Sequence, residues 1–166
     1  PTTGTYGGID RATWTFWRSV ASTGVVLTAA NIQEKMNSVW AQLVRGKDMP
    51  DLIVMDNTSW EIYVASLQAQ QRFHQAEVGD LGFPTLKFQG TDVCLDGGIG
   101  GNAAAGTTYF LNCDYIHYRP HRNRNMVPLS PNKRYATNQD AEVQTLAWAG
   151  NLTSSGSRYQ GRLISA

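Results

Sequence analysis

The segment PDLIVMDNTSWEIYVASLQAQQRF, residues 50–73, decides the fold class of this chain. Its first part is a short apolar run bounded by polar residues, which predicts a buried strand over 51–56. Thr58 and Glu61 then have the spacing of a capping box, and the apolar residues that follow recur on one helical face, predicting a helix over 58–74. A buried strand followed directly by an amphipathic helix indicates that helices pack against a sheet.

A second helix is predicted on the N-terminal side of that strand. Thr28 is a candidate N-cap and Gly46 stands just past the end, so we expect a helix over 28–45. Its apolar residues recur at steps of three and four: Ile32, Met36, Val39, Trp40, Leu43 and Val44. Two helices around a buried strand favour a mixed layer of helices and sheet over a helical bundle or a β sandwich. We expect the core to contain Ile32, Met36, Leu43, Ile53, Trp60 and Leu67, with Tyr63 either in the core or at a contact.

The rest of the chain is predicted to be strands and loops. Residues 1–27 are rich in Gly and Thr and have no sustained period, so we expect an irregular segment there. Strong alternation predicts a long strand over 107–118. We also expect two short strands in 85–95 broken at Gly90, and a final pair of strands at 142–149 and 158–165 around a turn at 151–156.

The composition favours a protein that associates with partners. Charged residues make up 16% of the 166 positions, compared with about 25% in an average soluble domain. Thr, Ser, Asn and Gln together account for 45 residues, so the polar surface is mostly uncharged. Uncharged polar groups cost less to desolvate than ions, which suits surface that becomes buried between subunits. The chain has neither a long apolar run nor a basic and apolar signal segment, so we expect no membrane insertion and no secretion.

Candidate binding motifs in this sequence are weak. The glycine loop at 97–101 fits G-x-G-x-x-A when Ala103 is included, but too few residues follow it for the helix that a dinucleotide site needs. His117 and His121 have a zinc-ligand spacing, yet Pro120 lies between them and the preceding run is a predicted strand. We therefore expect a plain inter-strand loop at 97–101, and no cofactor-binding or metal-ligating residues.

The cysteines and acids do not point to catalysis either. Cys94 and Cys113 lack C-x-x-C spacing, and we expect two buried, reduced thiols. The acids are scattered at predicted turns and strand ends, and the catalytic motifs of hydrolases, kinases and metalloproteases are missing. We predict no catalytic residues and expect that the chain is not an enzyme.

One basic segment carries the excess positive charge. Residues 115–139 contain five basic side chains and no acid: Arg119, Arg122, Arg124, Lys133 and Arg134. Three interpretations stay open. The guanidinium groups could pair with carboxylates of the same or a neighbouring subunit. The segment 118–134, which includes Tyr118, could bind a nucleic-acid backbone, or it could be a solvated loop. We take the five basic residues as candidate inter-subunit contacts.

Several motifs in order resemble one viral protein family. They are GGIDRATWTFWR at 7–18, PDLIVMDN at 50–57, LGFPTLKFQGTDVCLDGG at 81–98, YFLNCDYIHYRPHRNRNMVPL at 109–129 and NQDAEVQTLAWAGNLTSS at 138–155. Together they resemble the C-terminal half of the major capsid protein of a tailed bacteriophage, whose shell fold is shared with encapsulins and the herpesvirus capsid floor. The resemblance implies an α+β fold: an axial domain with a central mixed sheet flanked by helices, plus part of a peripheral-domain sheet.

The resemblance also implies a domain plan and a function. Residues 1–27 would connect the peripheral domain to the axial domain, 28–135 would form the axial domain, and 136–166 would return as strands towards the peripheral domain. The chain would be a structural subunit of an icosahedral capsid, self-associating into pentamers and hexamers around double-stranded DNA. Its partners would be other copies of itself, with a scaffold, a portal or packaged DNA as further partners of the full-length protein, and it would occur in the virion after assembly in the host cytoplasm.

The resemblance further suggests a longer parent protein. The family's N-terminal arm, extended hairpin loop and spine helix would stand before Pro1. We therefore expect a fragment that folds alone without building closed shells. The competing hypothesis is a nucleic-acid-binding module that uses 118–134.

Overall fold

The predicted strand of the fold-deciding segment is present and lies inside a six-stranded sheet. The computed structural model describes residues 3–69, 85–97, 101–129, 134–135 and 140–166. The helices are α1 (Ile32–Leu43) and α2 (Asn57–Ala69). The strands are β1 (Thr5–Tyr6), β2 (Ile9–Asp10), β3 (Val20–Val25), β4 (Leu52–Met55), β5 (Thr85–Phe88), β6 (Thr91–Leu95), β7 (Thr107–Leu111), β8 (Ile116–Pro120), β9 (Val127–Pro128), β10 (Arg134–Tyr135), β11 (Glu142–Val143), β12 (Leu146–Ala147), β13 (Gly150–Ser154) and β14 (Gly161–Ser165).

The chain divides into two units. Residues 1–115 and 156–166 form the first, which contains the six-stranded sheet and is called the sheet unit. Residues 116–155 form the second, which is inserted between β7 and β14 and is called the inserted unit. The domain plan implied by the capsid resemblance, with boundaries at 27 and 135, stays a prediction.

The sheet of the sheet unit is mixed, in the order β3-β14-β7-β4-β6-β5. β4 runs parallel to β6 and antiparallel to β7, while β14 runs antiparallel to β7 and parallel to β3. Ile53 lies opposite both Val93 and Phe110, and all three side chains are fully buried. A large mixed sheet with two helices makes the chain α+β, as expected from the sequence.

Helix α1 packs directly on the sheet and on α2. Its buried residues are Ile32, Met36, Val39 and Leu43, the apolar face that the sequence predicts. The close approach of α1 to β14 depends on Gly161, because a Cβ atom there would lie 2.5 Å from the Cδ1 atom of Leu43. The helix begins at Ile32 and not at the predicted Thr28, because residues 28–31 form a turn in which the Thr28 carbonyl accepts from the Asn31 and Ile32 amides.

The start of α2 differs from the predicted capping box. Asp56, not Thr58, accepts hydrogen bonds from the backbone amides of Thr58 and Ser59, each at 3.1 Å. A third amide, that of Gly106, donates to the same carboxylate at 2.8 Å. Asp56 therefore joins the helix start to the loop before β7. Of the helix predicted over 58–74, residues 70–74 lie outside the described residues.

Three strand predictions are corrected by the structure. The long strand over 107–118 is interrupted, because a 3₁₀ turn at Cys113–Tyr115 separates β7 from β8. The strand predicted over 142–149 is two short strands, β11 and β12, which pair with β10 and β9 and not with β14. The turn predicted over 151–156 instead contains most of β13, which pairs with β8. The first 27 residues are not wholly irregular, because they contain β3 and a short β1-β2 hairpin. The two strands broken at Gly90 are confirmed as the β5-β6 hairpin.

The inserted unit consists of short antiparallel pairs: β8 with β13, β9 with β12, and β10 with β11. None of its residues whose burial the structure describes, 116–129 and 140–155, is buried. The hydrophobic core described for this chain lies entirely in the sheet unit. The inserted unit is thus an ordered arrangement of strands without a described core of its own.

Candidate interaction surface

The longest pair of strands in the inserted unit is a two-stranded ribbon made of β8 and β13, called the ribbon below. Tyr118 lies opposite Leu152, and Arg119 lies opposite Asn151. Directly opposed residues of an antiparallel pair share a face, and successive residues alternate between faces. The ribbon therefore has an apolar side with Tyr118 and Leu152, and a polar side with Arg119.

The apolar ribbon face consists of Tyr118, Leu152 and Trp148, which are 51%, 65% and 52% exposed. The rings of Tyr118 and Trp148 are nearly parallel, 5° apart, with centroids 6.1 Å from each other. The indole Nε1 of Trp148 donates a hydrogen bond to the Tyr118 hydroxyl oxygen. Trp148 also lies close to Gly150, where a Cβ atom would be 3.0 Å from its Cζ2 atom. The two aromatic rings therefore form one preassembled apolar surface.

The polar ribbon face is held by side-chain hydrogen bonds. The Nε atom of Arg119 donates to the Thr153 hydroxyl at 2.9 Å, and that hydroxyl donates to the His117 carbonyl oxygen at 3.4 Å. His117 Nε2 lies 3.2 Å from the Ser155 hydroxyl. These bonds orient Arg119 along the ribbon and leave the rest of its guanidinium group free of described partners.

Two further arginines lie in the turn that extends the ribbon. The amide of Ala149 donates to the Arg124 carbonyl at 2.7 Å, and the amide of His121 donates to the Ala149 carbonyl at 2.8 Å. Arg122 and Arg124 are exposed in this turn. Neither of the two ion pairs found among the described residues involves Arg119, Arg122 or Arg124; those pairs are Lys35–Glu34 and Lys87–Asp92.

The structure places some, but not all, of the five predicted contact residues near the ribbon. Arg119, Arg122 and Arg124 belong to the ribbon and its turn. Arg134 lies in β10, where its backbone pairs with Val143. Lys133 lies outside the described residues. The structure thus places Arg119 on the polar ribbon face and Arg122 and Arg124 in the adjoining turn, and it adds the apolar ribbon face that sequence reasoning did not identify.

The two units carry opposite formal charges. The inserted unit has five Lys and Arg residues against two acids, a net charge of +3. The sheet unit has nine against eleven, a net charge of −2. The net positive charge of the chain is therefore concentrated in the inserted unit.

The glycine loop and the possible metal ligands do not form a binding site in the described residues. Of the glycine loop, Gly98, Ile99 and Gly100 lie outside the described residues, while a Cβ at Gly97 would fall 1.8 Å from the Asn57 Oδ1 atom. Gly97 therefore packs against the start of α2. No group of three or more His, Cys, Asp or Glu side chains in the described part of the chain could hold a metal ion.

The predicted core and thiol positions have mixed outcomes. Tyr63 is buried in the core, where its hydroxyl donates to the Lys87 carbonyl at 3.1 Å, whereas Trp60 and Leu67 are only partly buried against it. The prediction of two buried thiols is wrong, since Cys94 is half-buried and Cys113 is exposed. The 3₁₀ turn that interrupts the predicted strand carries Cys113 to the surface.

Comparisons with known proteins leave the family open. No protein-family model matches this chain, and no curated protein matches it. In the described residues, no helix is long and apolar enough to cross a bilayer. The function is therefore argued from the two units and their surfaces.

Proposed function

We propose that this chain is a structural subunit of an icosahedral virus capsid, with a role in assembly and not in catalysis. Its copies associate into pentamers and hexamers that enclose double-stranded DNA, and the shell is assembled in the host cytoplasm. The α+β architecture, with a large mixed sheet and two packed helices, is compatible with the axial domain of a capsid-type fold. The motifs at 50–57, 81–98 and 109–129 support the same family.

The observation that carries this proposal is the absence of any buried residue at 116–129 and 140–155, the described positions of the inserted unit. Fixing the backbone costs about 1–2 kcal/mol per residue, and burial of apolar surface is the main term that offsets it. The unit instead exposes seven large apolar side chains: Tyr118, Met126, Val127, Val143, Leu146, Trp148 and Leu152. Tyr118, Trp148 and Leu152 among them lie together on the ribbon, and a contiguous exposed apolar patch marks a site of association. Contacts of this patch with neighbouring copies supply burial that the unit lacks.

Electron microscopy of the natural gene product tests this function. We expect closed particles of uniform size that protect double-stranded DNA from nuclease. A natural product that stays monomeric at high concentration, with no particles in cells that express it, would contradict the proposal.

A second candidate function is favoured by the arginines of the ribbon. Exposed Arg119, on the polar ribbon face, and exposed Arg122 and Arg124, in the adjoining turn, could bind a nucleic-acid backbone through its phosphates. For this function, the Arg119→Glu/Arg122→Glu variant should lose DNA affinity, with a reduced dependence on salt. The matched control is Arg45→Glu/Lys47→Glu, which reverses two exposed charges of the sheet unit. Equal DNA affinity in the wild type and both variants would reject this candidate.

A further inference from the structure

We propose that the apolar ribbon face, Tyr118, Leu152 and Trp148, docks on the sheet unit of a second copy of this chain. This inference rests on the proposed function in taking the partner to be another copy. It specifies which surface makes the contact and how neighbouring copies are oriented relative to each other.

The apolar ribbon face has the chemistry of the centre of an interface. Trp and Tyr are enriched among the residues that dominate binding energy, and arginine is enriched with them. Here two aromatic rings and Leu152 stand beside the turn that holds Arg122 and Arg124. Three side chains cover far less than the roughly 800 Å² per partner of a stable interface. The face is therefore the anchor of a larger contact to which the turn contributes the rim.

The indole N–H of Trp148 already has its hydrogen-bond partner inside the face. Trp148 has a single donor, its indole N–H, and that donor is bonded to the Tyr118 oxygen. Burying a donor without a partner costs about 1–3 kcal/mol. Because Trp148 keeps its bond inside the face, docking of a partner avoids that cost for the indole.

The same features favour a protein over a nucleic acid as the partner. The indole N–H of Trp148 is already bonded to the Tyr118 oxygen, so this donor is not available to a base or a phosphate. Leu152 is the most exposed residue of the face at 65%, and an aliphatic side chain does not provide a stacking platform. The face is suited to apolar contact with another protein surface.

Charge decides which part of the second copy accepts the ribbon. The inserted unit has a net charge of +3 and the sheet unit has −2. Two inserted units would repel each other, whereas an inserted unit and a sheet unit attract. The contact is therefore head-to-tail, each copy giving its ribbon to one neighbour and accepting a ribbon from another. A head-to-tail contact that closes produces a ring.

The first experiment measures self-association of the chain by sedimentation velocity over a range of concentrations. Leu152→Ser removes the most exposed side chain of the face, and Leu146→Ser is the matched control, a leucine of the same unit that is 53% exposed outside the ribbon. We expect a dissociation constant at least tenfold higher for Leu152→Ser and within twofold of wild type for Leu146→Ser. Equal effects of the two substitutions, or no effect of Leu152→Ser, would overturn the proposal. Circular dichroism checks the fold of each variant, and Leu152→Ala replaces Leu152→Ser if the latter unfolds.

The second experiment tests the head-to-tail arrangement. A labelled Leu152→Ser chain still offers an intact sheet unit, so it should bind unlabelled wild type with the wild-type affinity. In a contact between two ribbons, the labelled variant would bind wild type clearly more weakly than wild type binds itself, and the proposal would be wrong.

Two further measurements separate this inference from other outcomes. If Leu152→Ser weakens binding of a 20-base-pair DNA duplex but not self-association, the face belongs to nucleic-acid binding and the proposal fails. The Leu152→Ser substitution is also made in the natural gene product. If that variant forms particles as well as the wild type does, the ribbon contact is wrong and the capsid function still stands. If the chain associates head-to-tail but the natural gene product forms no particles, the capsid function is wrong and the ribbon contact still stands.

Discussion

At the scale of single residues, Asp56 joins three parts of the sheet unit. Its carboxylate accepts amide hydrogen bonds from Thr58, Ser59 and Gly106, while its side chain is only 5% exposed. Burial is the largest single influence on the pKa of Asp56 and raises it, but the hydrogen bonds from Ser59, Gly106 and Thr58 together outweigh burial and hold this pKa below its usual value. The ionised carboxylate is therefore the form that stabilises the fold.

We predict that Asp56→Asn lowers the free energy of unfolding by about 1–3 kcal/mol at neutral pH, because one oxygen acceptor is replaced by a donor that faces an amide. A lowered pKa in the folded state gives stability that is full above the unfolded pKa of about 4 and is lost as the pH falls through the folded pKa. Urea unfolding between pH 3 and 7 should show this loss in wild type and less of it in Asp56→Asn. Glu61→Gln, an exposed carboxylate of α2, is the control and should follow wild type.

Cys113 is exposed yet its thiol is predicted to react slowly. Burial of the sulfur, then a hydrogen bond to Asp51 and the charges of Asp51 and Asp114, raise the pKa of Cys113 to about 11. In a Cys94→Ser background at pH 8, we expect disulfide exchange at Cys113 to be at least about tenfold slower than for a free cysteine. Asp51→Asn should speed the reaction, whereas Asp10→Asn should not. A rate in the Cys94→Ser background equal to that of glutathione would contradict this prediction.

At the scale of elements, α1 and β14 are fitted to each other at one glycine. Gly161 is buried, and a Cβ atom there would overlap Leu43 of α1. We predict that Gly161→Ala lowers the free energy of unfolding by about 1–3 kcal/mol through overpacking. Leu43→Ala removes the overlapping atoms, so the double variant should be more stable than the sum of the two single effects predicts. Thermal unfolding of the wild type, the two single variants and the double variant measures these effects. Strict additivity of the changes in unfolding free energy would contradict the close fit.

The helices and β4 could be predicted because their signals are local. Apolar residues three or four positions apart define the face of α1, and Ile53 lies in a short run whose burial follows from its composition. The pairing of β14 with β3 could not be predicted, since alternation indicates a strand but not its neighbour. The break at Cys113–Tyr115 was missed because the alternation of apolar residues continues through the turn while the backbone does not.

The candidate surface was predictable in part for a similar reason. Arg119, Arg122 and Arg124 stand close together in the sequence, so their charge excess is visible without a structure. The apolar ribbon face joins Tyr118 to Leu152 across more than 30 intervening positions, and only strand pairing brings them together. The small and polar residues of 151–156 predict a turn, and most of β13 lies in that stretch.

At the scale of the whole molecule, the two units differ in how their backbone is protected. β4 lies between β6 and β7 and is bonded on both sides, whereas β8 is bonded only to β13 among the described strands. We predict that amides of 116–119 exchange with deuterium much faster than those of 52–55 in dilute protein, because few buried contacts oppose local opening. The proposed contact between copies predicts that exchange at 116–119 slows at high protein concentration, while exchange at 52–55 does not change. Mass spectrometry of peptides from both segments provides the measurement, and equal protection in dilute protein would contradict it.

The position of β14 has a consequence for the order of events during synthesis. Translation delivers β3 to β7 first, then the 40 residues of the inserted unit, and only afterwards the strand that belongs between β3 and β7. Until β14 emerges, β3 cannot join the strands β7-β4-β6-β5, and the facing edges of β3 and β7 remain open to wrong partners. The nascent chain thus carries an exposed ribbon before its sheet is complete. A chaperone that shields open strand edges would act during this interval, and insertion of β14 would end the need for it.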